Sequence, residues 1–456
     1  MSYYENLGQL VNQNNHIEDS QYKEFRVKRG LRNANGSGVL VGLTTVSSVV
    51  GYKKEHGTIK PVEGELYYRG INVKDLVQGF ENENRYGFDE VVYLLYFGQL
   101  PTQEELATFS AELGRQRVLS LNFTRDVLQT FRSPDIMNAL ARSVLTLYAM
   151  DENPDDLSVP NQVRQSMELV AKMNTLVPYA YYMIQQAFKE KSLIIHKANA
   201  GLSAAENFLS LIRTDQQYTK LEARTLDTLL VLHADHGGGN NSTFTTRVIS
   251  STNTDIYSSV ASALGSLKGP LHGGANVRAY QMMRALKKNL KNNRSQSAIR
   301  DYLFKLLKGE AFDKAGKIYG VGHAVYTLSD PRTLILREYA RKLAESKGRM
   351  EDYELHLLVE KEAPDVIKEF KNNPGLQVSA NVDFYSGFIY DCLDIPCDVY
   401  TPFFAIARVA GWCAHRIEMM SNSMKIMRPA YKALLQKNAY QPLNDRHDTH
   451  REYKYE

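Results

Sequence analysis

The chain has 456 residues, with 55 Lys plus Arg against 51 Asp plus Glu and a formal net charge of +4. Hydrophobic residues at 43% and charged residues at 23% are close to globular averages, which excludes global disorder. So small a charge over so long a chain is no argument for nucleic-acid binding, and no apolar run approaches the ~18 residues of a membrane span.

The three cysteines, Cys392, Cys397 and Cys413, are too few to form a disulfide framework and suit a reducing compartment. The first residues lack both the apolar core of a secretory signal and the Arg-rich character of a transit peptide. These features together predict a soluble, cytoplasmic protein.

In chain order, residues 1–35 are polar and Asn-rich and read as a short helix and a connecting arm. From Gly38 to Tyr68, Val39, Val41, Leu43, Val46, Val49 and Val50 are interspersed with Gly, Thr and Ser. This predicts short strands or hairpins, the one β region of the chain. Beyond Gly70 the pattern is helical. Thr102 and Glu105 form a capping-box signature. Apolar residues recur at helical spacing over 133–150, 161–190, 196–212, 221–233, 254–267, 276–290, 296–307, 351–370 and 402–420. Asp330-Pro331 opens another helix, with Gly348 beyond its end. Only 14 prolines interrupt the chain, so the fold class is mainly α with a minor β element near the N-terminus.

Charge is uneven. Residues 278–317 hold eleven basic side chains against three acidic ones, either a solvated helix face or a landing area for a phosphorylated ligand.

Three polar stretches interrupt the helices: residues 232–247 (beginning LHADHGGGNN), 269–276 (GPLHGGAN) and 319–332 (YGVGHAVY running to DPR). Each sits at a helix end, where backbone groups are available to a ligand. His233 and His236 could share a metal, but there is no H-E-x-x-H arrangement and no nearby cysteine, so no metal site is expected. The His-Gly-Gly-Gly run lacks the G-x-S-x-G elbow that an esterase needs. Walker A and Rossmann glycine motifs are also absent.

His272 precedes a predicted helix start near Asn276. A helix N-terminus disfavours imidazolium, so a neutral, hydrogen-bond-donating ring is expected. Asp383, between Val382 and Phe384, is either a desolvated base or a helix N-cap. Arg408 interrupts an apolar helix face and calls for a carboxylate partner. Arg428 by itself reads as a surface side chain.

The strings HADH, GPLHGGAN, GVGHAVY with DPR, NVDFYSG, ARVAGW and MKIMRP, in that order over residues 232–429, resemble the citrate synthase family. Weaker similarity extends forward to about Glu63. The resemblance implies a helical homodimer that joins acetyl-CoA and oxaloacetate to give citrate and CoA. It implies a large domain (61–280 and 391–456, with 1–60 as an arm and strands) and a smaller mobile one (281–390).

By the same resemblance, Asp383 is the base, His272 stabilises the enolate and His323 polarises the oxaloacetate carbonyl. His236, Asn240, Arg332 and Arg408 hold oxaloacetate, with Asn241 as the alternative to Asn240. Arg428 matches the arginine that the family takes from the partner subunit. Backbone groups of Lys317, Ile318, Tyr319, Gly320, Val321 and Gly322 match the loop that contacts the CoA adenine. No separate cofactor is implied, since CoA enters as the thioester.

Gly237-Gly238-Gly239 and one extra residue before Arg247 depart from what many members carry, which keeps Asn241 as the alternative to Asn240; Thr327 stands where some members place an arginine, which leaves the CoA phosphate ligands open. The amino-terminal β domain of hexameric members is not evident, which favours a dimer. Two alternatives remain: a 2-methylcitrate synthase using propionyl-CoA, which no residue decides, and a non-catalytic helical scaffold, which has no reason to keep these residues together.

Overall fold

The computed structural model describes residues 2–33, 36–55, 58–130, 132–291, 293–422, 425–435 and 439–446. The chain divides into two compact units. One combines Met1–Val39 with Met427–Glu456, and the other spans Leu40–Ile426.

In the first unit the expected single helix is two, α1 (Tyr3–Asn14) and α2 (Asp19–Glu24). A Ser2–Glu5 capping box starts α1, and Glu18 and Gln21 bond reciprocally at the start of α2.

The second unit opens with an antiparallel sheet in the order β1 (Ser47–Glu55), β2 (Thr58–Tyr68) and β3 (Ile71–Asn72). The β1–β2 register runs from Ser47 opposite Tyr68 to Glu55 opposite Thr58, with an irregularity between Val50 and Tyr52. The strand expected from Gly38 starts only at Ser47. Leu40 and Leu43 are each 85% exposed, and among the described residues no strand pairs with them. Alternation of apolar residues cannot make a strand where no neighbouring strand pairs with the backbone.

Two glycines let the hairpin close onto the loop that follows Gly322. A Cβ on Gly51 would lie 2.3 Å from the Val325 carbonyl oxygen, and one on Gly64 would lie 2.1 Å from that of Ser329. The Tyr326 hydroxyl also donates to the Glu65 carbonyl at 3.3 Å.

Helices follow almost without interruption: α3 (Val73–Asn82), α4 (Phe88–Phe97), α5 (Gln103–Gln116), the single turn α6 (Leu121–Phe123), α7 (Ile136–Tyr148), α8 (Val159–Lys189) and α9 (Ala204–Ile212). Next come α10 (Lys220–His233), α11 (Asn241–Ser250), α12 (Ile256–Lys268), α13 (Ala275–Leu290) and α14 (Gln296–Leu307). The last four are α15 (Pro331–Ser346), α16 (Met350–Phe370), α17 (Val382–Cys392) and α18 (Tyr400–Met420).

Local signals set the ends. The Thr102–Glu105 box starts α5 as expected. A Ser203–Glu206 box delays α9 to Ala204, eight residues later than spacing alone suggests. Asp330 caps α15 with Pro331 at its first position, and Gly348 beyond its end has φ +64°.

Helix α18 is buried nearly all round and packs on α4, α8, α10 and α11. An element buried on every side reads as continuously apolar, so each of its polar residues needs a specific partner. Helices α13 and α15 pack on α17, and α14 packs on α16. Among the described residues no helix is long and apolar enough to cross a membrane.

Candidate active site

At the end of α10 the chain turns through Ala234–Gly239 before Asn240 caps α11. His236 lies on this turn, its ring 5.3 Å from that of His323 and 5.4 Å from that of Tyr326, nearly perpendicular to both. His323 stacks on Tyr326 at 4.8 Å. The Val325 and Tyr326 N–H groups both donate to His323 Nδ1 at 3.0 Å. Nδ1 is therefore an acceptor, and the neutral ring carries its proton on Nε2. Residues 87 and 90 apart in sequence thus meet ring to ring.

Two buried guanidinium groups face this cluster. Arg332 pairs with Asp330 through Nε (3.0 Å) and Nη2 (2.7 Å). Burial disfavours its charge, but Asp330 outweighs that effect and raises the pKa. Asp330 Oδ2 also accepts from the Val382 N–H at 3.2 Å, tying the start of α15 to the start of α17. Arg408, 1% exposed, donates from Nε to the His233 carbonyl at 2.7 Å and lies over the Phe404 ring at 4.5 Å. Burial lowers it to about 10.

Asn381, not Asp383, caps α17: its side chain accepts from the Asp383 N–H at 3.0 Å. The capping alternative for Asp383 therefore fails, and its half-buried carboxyl is left for other work. Burial pushes it up to about 6, with Arg332 and Arg408 pulling the other way.

His272 has the expected neutrality through a different cause. Burial, then the charge of Arg408, pushes it down to about 4. Helix α13 does begin close by, at Ala275, but desolvation is the larger effect. His272 Nε2 is 3.0 Å from Ser242 Oγ, which also receives the Trp412 indole N–H at 3.1 Å and donates to Asn240 Oδ1 at 2.9 Å. Asn240 is half-buried in this network. Asn241 is exposed and accepts from Ser266 Oγ at 2.6 Å, which favours Asn240 as the inward residue.

The Lys317–Gly322 loop pairs with the segment before α17. Asn381 N–H donates to the Gly320 carbonyl (2.9 Å), Gly322 N–H to the Ser379 carbonyl (2.8 Å), and Asn381 Nδ2 to the Gly322 carbonyl (2.8 Å). Gly320 and Gly322 have φ of +78° and +100°, which glycine adopts without strain. Lys317 is exposed, Ile318 is buried, and Tyr319 N–H donates to Met282 Sδ at 3.3 Å.

The basic stretch 278–317 is partly matched by acids of α16. Arg294 pairs with Glu351 (3.2 Å), Arg300 with Glu362 (3.1 Å) and Glu369 (2.6 Å), and Lys287 with Asp352. Its unevenness is therefore weaker than the sequence count suggests. Arg428, exposed, belongs to the other compact unit.

The buried polar atoms that meet no protein partner include a group at this turn and on the helix against it: both ring nitrogens of His233, Asp235 Oδ1, His236 Nε2 and Arg408 Nη1. Each such group is costly unless something satisfies it, so this clustering marks a ligand site. Burial keeps His233 and His236 well below the usual histidine range. Among the described residues no group of three or more His, Cys, Asp and Glu is placed to hold a metal.

Sequence reasoning missed Asp330 as the partner of Arg332, Ser242 as the partner of His272, and Tyr326 as the platform for both histidine rings. Asp330 looked like a helix opener only, and Ser242 carried no signal of its own.

A family model for citrate synthase, C-terminal domain, matches residues 35–430. The chain belongs to the citrate synthase family. The citrate synthase of Synechocystis sp. is 36% identical over 406 residues, covering 88% of this chain and 93% of that protein. That of Haloferax volcanii is 34% identical, covering 92% and 99%. A 2-methylcitrate synthase of Shewanella oneidensis is 32% identical, covering 80% and 87%. In fold, the citrate synthase of the archaeon Thermoplasma acidophilum, solved as a ternary complex with carboxymethyl coenzyme A and oxaloacetate, matches with a TM-score of 0.74. The match has 24% identity and covers 92% of this chain and 99% of that one.

Proposed function

We propose that the protein is a citrate synthase, an acyltransferase that condenses acetyl-CoA with oxaloacetate and water to give citrate and CoA. The observation that carries this reading is one carboxyl, raised by burial to about 6, within the field of two buried arginines that also act on the histidine cluster. Asp383, as carboxylate, takes a proton from the acetyl methyl group. His272 stabilises the resulting enolate oxygen by donating from Nδ1–H, which requires the single Ser242 hydroxyl proton, given to Asn240 Oδ1 in this structure, to turn to His272 Nε2. His323 Nε2–H polarises the ketone of oxaloacetate; the enolate carbon attacks the carbonyl carbon, the C=O π pair moves to oxygen, and that oxygen takes the His323 proton to become the hydroxyl of citryl-CoA. Water then cleaves the thioester of citryl-CoA. His236, Asn240, Arg332 and Arg408 bind the dicarboxylate, and the Lys317–Gly322 loop contacts the CoA adenine.

Residues 281–390 form the smaller domain that closes over the cleft, with 1–60 as an arm and strands attached to a large domain of 61–280 and 391–456. The assembly is a homodimer with Arg428 supplied to the partner's site, and CoA enters as substrate with no further cofactor. A cytoplasmic setting belongs to the same reading. The cysteines are free, and burial pushes Cys392 up to about 12 and Cys413 up to about 11, keeping both thiols protonated and inert.

The relative named 2-methylcitrate synthase keeps a second reading in view, since one added methylene changes selectivity by only ~1–3 kcal/mol. Following CoA thiol release from oxaloacetate with acetyl-CoA, then with propionyl-CoA, separates the two. Release with both, faster with acetyl-CoA, is expected. A higher kcat/KM for propionyl-CoA moves the assignment to methylcitrate, and no release with either removes the enzyme.

A further inference from the structure

Behind the His236 turn lies a buried polar network that the condensation chemistry does not use. Asp235 is 0% exposed. Its Oδ2 accepts from the Gly237 N–H at 2.9 Å and from the Ser47 hydroxyl at the start of β1, and lies 3.3 Å from His415 Nε2 on α18. The Gly237 bond closes a short turn by which an Asp side chain brackets the residue after it, here His236. Gly237 accepts φ +82° and leaves room for Val49, whose Cγ2 would be 3.2 Å from a Cβ there.

The turn is pressed from the other side. A Cβ on Gly411 would lie 2.4 Å from the Asp235 Oδ1 and 2.4 Å from the Ala234 carbonyl oxygen, and Gly411 N–H donates to that carbonyl at 3.1 Å. Helix α18, which carries Arg408 one turn earlier, is thereby fixed against the turn that carries His236.

The network continues outward. His415 Nδ1 faces Arg247 Nη1 at 3.1 Å. A guanidinium only donates, so Nδ1 meets it as acceptor and Nε2 carries the proton given to Asp235. Arg247 Nη1 also pairs with Glu418 (2.9 Å), Arg247 Nη2 donates to the Leu43 carbonyl (3.0 Å), and Glu418 accepts from the Thr45 N–H (2.6 Å). Burial works against an ionised Asp235, but His415, Arg408 and the Ser47 hydroxyl outweigh it and hold the carboxyl below its ordinary range.

We propose that Asp235, oriented by His415 and Ser47, is a positioning residue that sets the His236 ring against Arg408, and that it thereby governs affinity for the dicarboxylate substrate. Arg247 and Glu418 hold His415 in turn and couple the turn to the extended segment before β1. This rests on His236 and Arg408 being oxaloacetate ligands. An aspartate that merely filled space would affect stability alone, whereas this one acts selectively on one of two substrates.

The test is steady-state kinetics of the full-length Asp235→Asn variant, whose amide keeps the volume and loses the charge-assisted acceptor. The expected result is a KM for oxaloacetate raised tenfold or more, with the KM for acetyl-CoA within twofold of wild type. His415→Leu reproduces the selective rise, and His415→Gln, which retains a donor, restores most of the affinity. Should Asp235→Asn not fold, Ser47→Ala removes one donor only and is expected to raise the same KM two- to fivefold.

Unchanged KM for oxaloacetate in folded Asp235→Asn and Ser47→Ala overturns the proposal, as does an equal rise for both substrates. His236→Ala serves as the control on the underlying site. If it too leaves the KM for oxaloacetate unchanged, the assignment of the oxaloacetate site falls. If it raises that KM while Asp235→Asn does not, only the positioning role falls.

Discussion

Arg408 and Arg416 lie two turns apart on α18, both essentially inaccessible, and burial lowers each to about 10. Their surroundings differ. Arg416 donates from Nε to Gln162 Oε1 (2.7 Å), from Nη1 to Ser250 and Ser259 (3.0 Å each) and from Nη2 to the Thr254 carbonyl (2.6 Å). Arg408 makes one backbone bond and leaves Nη1 without a protein partner. A buried guanidinium whose donors are taken up by neutral groups ties helices together. One with a donor left over can take an anion from outside, the role proposed for Arg408. Burial and pKa direction are alike for the two arginines, and only the hydrogen bonds distinguish them.

The largest effect is expected at Asp383, the carboxyl that Arg332 and Arg408 both influence and Arg416 does not. Asp383→Ala is expected to lower kcat by roughly 10²–10⁴-fold without loss of folding, checked by CoA release and circular dichroism. Near-wild-type kcat removes Asp383 as the base. Next, Arg408→Gln is expected to reduce kcat/KM for oxaloacetate roughly 30- to 1000-fold, the range for losing one partner of a desolvated charge-assisted bond. Its thermal midpoint should move little, because one backbone bond and a ring contact are lost.

A pH profile tests the same cluster without mutation. Only ionised Asp383 accepts a proton, and its pKa is raised to about 6, so kcat/KM should fall about tenfold per pH unit below 6 and level off above. A plateau extending to pH 4 contradicts the raised carboxyl.

Arg416→Met should do the reverse of Arg408→Gln. It leaves Gln162 Oε1 and the Thr254 carbonyl without their donor, at a cost of roughly 3 kcal/mol, and lowers Tm by several degrees. KM for both substrates should stay within about twofold. A selective rise in the KM for oxaloacetate would erase the distinction between the two arginines. The smallest expected signal comes from subunit mixing: verified heterodimers of Arg428→Ala and Asp383→Ala chains should regain a fraction of wild-type activity if Arg428 serves the partner's site.

Much of this was legible in the sequence, unevenly. Thr102–Glu105 and Asp330-Pro331 announced helix starts because capping needs only neighbours along the chain. The β region was legible as such, but its start was misplaced by nine residues, because valine alternation at 39–46 looks the same with or without a partner strand. Site chemistry was legible where residue types were conspicuous: histidines beside glycines at helix ends, and an arginine within the apolar run of α18. It was illegible where the partner was ordinary. Nothing local marks Ser242 as the contact of His272, or Ser47, 188 residues from Asp235, as a donor to its carboxylate.

Charge shows the same division. A net charge of +4 and a basic stretch at 278–317 are properties of the sequence, yet Glu351, Glu362 and Glu369, across the α14–α16 contact, decide how much of that charge a ligand meets. By itself the sequence determined the helical class, the helix ends and the inventory of acids, bases and cations, because these follow from spacing and residue type. Only the tertiary structure decided which of those groups are desolvated, which are already paired and which face one another. Burial and Coulomb energy depend on distance through space, and packing brings together residues that the chain keeps far apart.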